Sequence, residues 1–192
     1  MLECRREHPE FALCGLNCCL CPRFHTEGSS RCPGCGGHEF AEKHPTCAVI
    51  SCAKRHGDFQ FCHQCPDFPC PKYASNDADS FISYRNVTAD LAFAKEHGTE
   101  AYLERLRAKS DFLLWLLATH NDGRRKNFYC LVANLIPAES IPELRRRIDA
   151  ITPDPAGNPP GVTSAKEVEN LIREFCREIG IVPELRRPAG KA

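Results

Sequence analysis

Cys14-Gly-Leu-Asn-Cys18-Cys-Leu-Cys21-Pro, then Arg31-Cys-Pro-Gly-Cys35, Cys47-x4-Cys52 and Phe61-Cys-His-Gln-Cys65-Pro-Asp-Phe-Pro-Cys70, is the stretch on which the reading of this chain turns. Twelve of the 14 cysteines in the 192-residue sequence fall within its first 70 positions, and only Cys130 and Cys176 lie beyond. That length suits one domain or two small ones, and the fall in cysteine density near Tyr73 favours two. The boundary predicts a cysteine-rich domain over residues 1–73 and a second region over 74–192.

A C-x2-C turn sets two sulphurs on one side of a tight loop, where backbone N–H groups donate to them, and two such turns complete a tetrahedron around Zn²⁺. Pro, Gly and Ser divide the cysteine-bearing segments throughout 14–73, which is loop and hairpin chemistry. The fold expected is a small cysteine-rich, metal-stabilised domain of zinc-knuckle or ribbon-like short hairpins, followed by an all-α helical region.

Whether those thiols bind metal or pair as disulfides depends on compartment. Glu3, Arg5, Arg6, Glu7 and Glu10 interrupt the N-terminus, so no apolar stretch there is long enough for a secretory signal. The longest strongly apolar run, Phe112 to Ala118, is far too short to span a bilayer. The sequence is therefore read as soluble and cytoplasmic, where thiols stay reduced.

One grouping pairs Cys18 and Cys21 with Cys32 and Cys35; another pairs Cys47 and Cys52 with Cys62 and Cys65. Setting aside the irregularly placed Cys4 and Cys19, Cys14 and Cys70 are left as a surplus that can replace either set's members. Two closed sites imply about two Zn²⁺ per chain, holding the fold without an open position for hydrolytic chemistry. His25, His44, His56 and His63 rank below the cysteines as ligands. The alternative is a 4Fe–4S cluster: Cys14-x3-Cys18-x2-Cys21 has the spacing of radical S-adenosylmethionine enzymes, and Cys21, Cys32, Cys65 and Cys70 each precede Pro. The large barrel such an enzyme needs has no counterpart here, which leaves an electron carrier or accessory redox subunit. A third reading, metal handling or thiol transfer, uses the surplus pair.

The downstream region is helical by period and punctuation. Val87, Leu91 and Ala94 recur at helical spacing and stop at Gly98, and Thr99 is placed to cap a helix carrying Leu103, Leu106, Leu113 and Leu117. Asn121-Asp122-Gly123 is a turn before a helix from Lys126 to Ile136, ended by Pro137. Ser140 with Glu143, and Ser164 with Glu167, form capping boxes for helices 141–151 and 165–179, separated by a Pro/Gly linker over 152–163.

Formal charge is zero, with 25 basic and 25 acidic residues, so there is no one-sided field for nucleic acid or an anionic membrane. Arg124, Arg125 and Lys126 open a helix and are a candidate anion-binding turn, with a solvated basic turn as the plainer reading. Cys130 and Cys176 sit on apolar helix faces and read as core. No phosphate loop, nucleophile elbow or carboxylate pair is present, so no catalytic residue is assigned.

The same string resembles the family called domain of unknown function 3795, over about residues 12–73, and Asn121-Asp-Gly-Arg124 through Cys130 looks like a segment of its longer members. The resemblance implies metal binding, often presumed to be zinc. By position it implies Cys14, Cys18, Cys21, Cys32, Cys35, Cys47, Cys52, Cys62, Cys65 and Cys70 as ligands. The expected function is a zinc-scaffolded, non-enzymatic module that contacts another protein or a small ligand.

Overall fold

The computed structural model describes residues 6–43, 47–73, 78–152 and 164–187. Cys4, His44 and most of the linker at 152–163 lie outside the described residues. Seven α-helices are present among them: α1 (Phe40–Lys43), α2 (Ala48–His56), α3 (Val87–His97), α4 (Thr99–Thr119), α5 (Lys126–Leu135), α6 (Ile141–Ile151) and α7 (Ala165–Glu178). None is long and apolar enough to cross a membrane.

No strand forms among the described residues, so the short hairpins expected of the cysteine-rich segment are replaced by turns, 3-10 turns and α2. The reason is local. Cys18–Leu20 and Cys62–Gln64 are single 3-10 turns, closed by Cys21 N–H to Cys18 O (3.0 Å) and Cys65 N–H to Cys62 O (3.1 Å). Backbone groups used this way are not presented in a row for a facing strand.

The helical boundaries follow the sequence closely. Gly98, with φ +93°, stops α3 and lets the chain re-enter helix at once in α4. Thr99 is the first residue of α4 rather than its cap, because its hydroxyl meets His63 Nε2 at 3.2 Å. The capping box at Ser164 and Glu167 is present, with Ser164 N–H to Glu167 Oε2 at 2.7 Å and Glu167 N–H to Ser164 Oγ at 3.3 Å. The one expected at Ser140 and Glu143 is not: Ser140 ends a 3-10 turn, and the Glu143 carboxylate is held by Arg146 (2.8 Å) and Arg147 (2.8 Å).

α3 packs on α4, α4 on α5 and α6, and α7 on α6. Leu91, Leu103, Leu106, Leu113, Leu116, Tyr129, Ile148 and Ile172 form the centre, and Phe11, Leu20, Phe61 and Phe68 of the cysteine-rich segment join the same cluster. Cys130 and Cys176 are buried in it. The cysteine-rich segment's separate cluster is only Ala12, Leu13, Cys35, Ile50 and Ala53, too little apolar surface to order a loop-rich segment alone. Gly15 (φ +89°) lies against α3, where an added Cβ would stand 2.7 Å from Leu91 Cγ.

A buried polar knot ties the two parts. The Asn17 amide donates to Asp90 (3.0 Å) and Asn134 Oδ1 (3.3 Å), the Tyr102 hydroxyl donates to Asn17 Oδ1 (2.6 Å), and Lys109 Nζ donates to the Asn134 carbonyl (3.1 Å). Burial raises the Asp90 carboxyl and lowers the Lys109 ammonium, each partly offset by the other's charge.

The C-terminal residues 181–187 fold back over the loop before α3. Arg186 grips Asp79 through Nη2 (2.8 Å) and its own N–H (2.8 Å), and Arg85 Nη1 donates to the Val182 carbonyl (2.7 Å). Burial pushes the Asp79 carboxyl up, but Arg186, with Tyr84 N–H and the Ser83 hydroxyl, outweighs it and holds the group at about 2. A depressed folded value stabilises above the unfolded one and is lost only as pH falls through it, so this clasp persists down to about pH 2–3. Because the Arg186 side chain is 34% exposed, Asp79→Asn is expected to cost only about 1–2 kcal/mol. Faster amide exchange confined to 181–187 and the 79–85 loop is the measurement that checks it.

Candidate metal centre

Ten cysteines stand on turns whose backbone is already hydrogen-bonded. Cys32 N–H donates to Arg23 O (2.9 Å) and Cys35 N–H to Pro9 O (2.9 Å), which brings the second C-x2-C turn beside the first. Cys47 is the extended residue that caps α2, and Cys52 follows on the helix. Tyr73 N–H donates to Cys70 O (3.0 Å), closing the last turn.

Cys14, Cys47, Cys52, Cys62, Cys65 and Cys70 line one cavity of about 350 Å³, with Leu16, Val49, Phe68 and Val87 supplying apolar wall. Cys14 and Cys70, a surplus by spacing, stand on this wall, and Cys14 also lies within electrostatic reach of Cys35 and Cys18. Cys18, Cys21, Cys32 and Cys35 are not on that wall. Among them Cys18 lies within electrostatic reach of Cys35 and Cys32, and Cys21 of Cys32. Cys19 points away into the core, where burial pushes its thiol up to about 12.

Burial pushes the Cys14 thiol up to about 12 against a hydrogen bond from Leu16 N–H, and the Cys35, Cys47 and Cys62 thiols push the same way. Burial likewise raises Cys18, Cys21 and Cys62. So many sulphurs this close resist ionising one at a time; a bound cation is what compensates them together. Donors for such charge are in place. The Tyr73 hydroxyl reaches the Cys62 thiol and the Cys14 carbonyl (3.3 Å), and Arg23 and Phe24 N–H groups point at Cys21 sulphur.

The donor set is soft thiolate, which suits zinc or iron–sulfur chemistry. A tetrahedral zinc with bonds of ~2.3 Å sets its sulphurs ~3.8 Å apart. Among the described residues, the group of three or more His, Cys, Asp or Glu side chains whose ligand atoms all lie within 4.8 Å is His56, Cys65 and Asp67. Neither cysteine group contains three sulphurs that close, so spacing gives both groups the same standing for either metal.

His56 and Asp67 were not distinguished by spacing, since nothing in sequence marks residues 56, 65 and 67 as neighbours. His25 and His63 are engaged elsewhere: His25 Nε2 meets the Cys19 carbonyl at 2.6 Å, and His63 is buried beside Phe61 and Thr99. At the basic turn, Arg125 is held by Asp122 and by Glu169 (2.9 Å), and Lys126 Nζ reaches the His25 carbonyl at 3.4 Å. The charge expected for an anion is thus answered at Arg125 by the chain's own carboxylates.

Residues 10–75 match the family model for a protein of unknown function, DUF3795. The cysteine-rich segment is similar to this family over those residues. All ten candidate ligands fall inside the DUF3795 interval, and the Asn121–Cys130 segment falls outside it. No curated protein and no solved structure matches the chain.

Proposed function

We propose that the protein is a thiolate-ligated metal protein with a redox role, in which the chamber of Cys14, Cys47, Cys52, Cys62, Cys65 and Cys70 takes an iron–sulfur cluster. The observation that carries this reading is the convergence of six cysteines on one apolar cavity of about 350 Å³. A bound cluster would supply reversible one-electron transfer. The chain's part is to hold the thiolates in a wall of low dielectric, to direct the Tyr73 hydroxyl at Cys62, and to keep the cysteines half-buried so that a redox partner can approach. Cys18, Cys21, Cys32 and Cys35, on two C-x2-C turns with backbone N–H donors, are the better candidates for a structural zinc.

Elemental analysis and an absorbance spectrum of protein purified without oxygen and without added metal test this reading. About four iron and four acid-labile sulfide per chain, with broad visible absorbance, is the expected result. Zinc alone in a colourless protein overturns it and returns the chamber to the zinc scaffold expected from the spacings.

A further inference from the structure

We infer a separate mononuclear metal site at the rim of the chamber, formed by His56, Cys65 and Asp67 and suited to a divalent first-row ion of borderline softness such as Zn²⁺ or Co²⁺. The three ligand atoms lie within 4.8 Å of one another, and His56 Nδ1 stands 3.4 Å from Asp67 Oδ2. One nitrogen, one sulphur and one carboxylate oxygen are the three ligand types that zinc accepts.

Local structure presets this geometry. Phe68 N–H donates to Cys65 O (3.1 Å), closing a turn with Pro66 at its second position, so that Cys65 and Asp67 are offered together. His56 is the last residue of α2, which ends at Gly57 with φ +128°. A cation placed there meets the negative end of the helix. The His56 and Asp67 side chains are 43% and 63% exposed, so three protein ligands leave the fourth position to water, the arrangement of zinc sites that act on substrates rather than hold folds.

Cys65 also lines the chamber with His56 beside it. Six thiols are two more than a four-iron cluster takes, and Cys65 is the one with a nitrogen and an oxygen ligand at hand. The site does not depend on the cluster: it needs only that Cys65 is not spent inside the chamber.

Zinc added to the oxygen-free purified protein, counted after dialysis and followed by zinc-edge X-ray absorption, tests the assignment. The expected result is one added zinc per chain in the wild type, beyond any held by Cys18, Cys21, Cys32 and Cys35, whose ligands, read as the difference between spectra before and after loading, are one sulphur and lighter atoms. His56→Ala, Asp67→Asn and the double variant, all at exposed positions, should weaken that zinc by about a hundredfold or more, since even partners of metal ligands cost 10–100-fold, with iron and visible absorbance unchanged. Cys65→Ser should lose the same zinc. An unchanged zinc affinity in the double variant or in Cys65→Ser, or an all-sulphur spectrum for the added zinc, overturns the site. A protein without iron overturns the cluster reading alone and leaves this zinc count to be read as it stands.

Discussion

Cys62→Ser is expected to remove the cofactor, lowering iron content and visible absorbance more than tenfold in protein purified without oxygen. Cys62 faces Cys52, Cys65 and Cys70 across the chamber, lies near Cys14, and receives the Tyr73 hydroxyl. Serine keeps the size of the side chain and loses the soft, ionisable ligand, because an alcohol stays protonated where a thiol gives up its proton to a metal. The loaded form is favoured over the unfolded chain by its cofactor's binding energy, so the variant's melting temperature should fall towards that of metal-free protein. Cys19→Ser serves as the control. It lies in the same segment, buried in the core and away from the chamber, and should keep its iron while losing some stability. Full iron retention in Cys62→Ser would place the cluster elsewhere.

Asn17→Ala is expected to cost about 3–5 kcal/mol, measured as a lower urea midpoint with an unchanged slope. The side chain makes three hydrogen bonds, two of them buried and one partly buried, to residues 73, 85 and 117 positions away. Its removal takes one partner from the Asp90 carboxylate and one from the Tyr102 hydroxyl, which keep only their bond to each other. A buried polar group left unpaired loses its hydration and gains nothing in exchange. Asp90 is the more severe case, since burial already raises its carboxyl and the Lys109 charge offsets only part of that. The damage should spread across both parts of the molecule, because the same knot fixes Asn134, whose amide donates to the Ser83 carbonyl (3.1 Å) and whose carbonyl accepts from Asn86 (2.9 Å). A loss below 1 kcal/mol would mean that water satisfies these groups and that the knot does not join the two regions.

The helices after Tyr73 are legible in the sequence because their signals are local. Gly98 ends α3 through its own φ, Pro137 follows α5, and the Ser164–Glu167 box acts over three residues. The same logic failed at Ser140, where Glu143 had a choice of partners. Arg146 and Arg147, one turn ahead on the same helix, offer a charge-assisted bond in place of a backbone N–H. Sequence alone also determined that this segment is a thiol-rich, loop-built unit with ten cysteines ordered as potential ligands. Composition, turn residues and C-x2-C spacing each act within a few positions, and none of them needs a partner.

Only the tertiary structure decided which thiols line one cavity. Cys14 and Cys70 are 56 positions apart in numbering, and they meet across one cavity because the segment closes its turns on α2 and packs Phe11, Phe61 and Phe68 into the helical core. The neighbourhood of His56, Cys65 and Asp67, and the reach of Asn17 to α3, α4 and α5, have the same origin. Loop closure and burial bring together residues whose separation in sequence carries no periodic signal. What a short spacing fixes is the chemistry each turn offers; which turns face one another is settled by the packing of the whole chain.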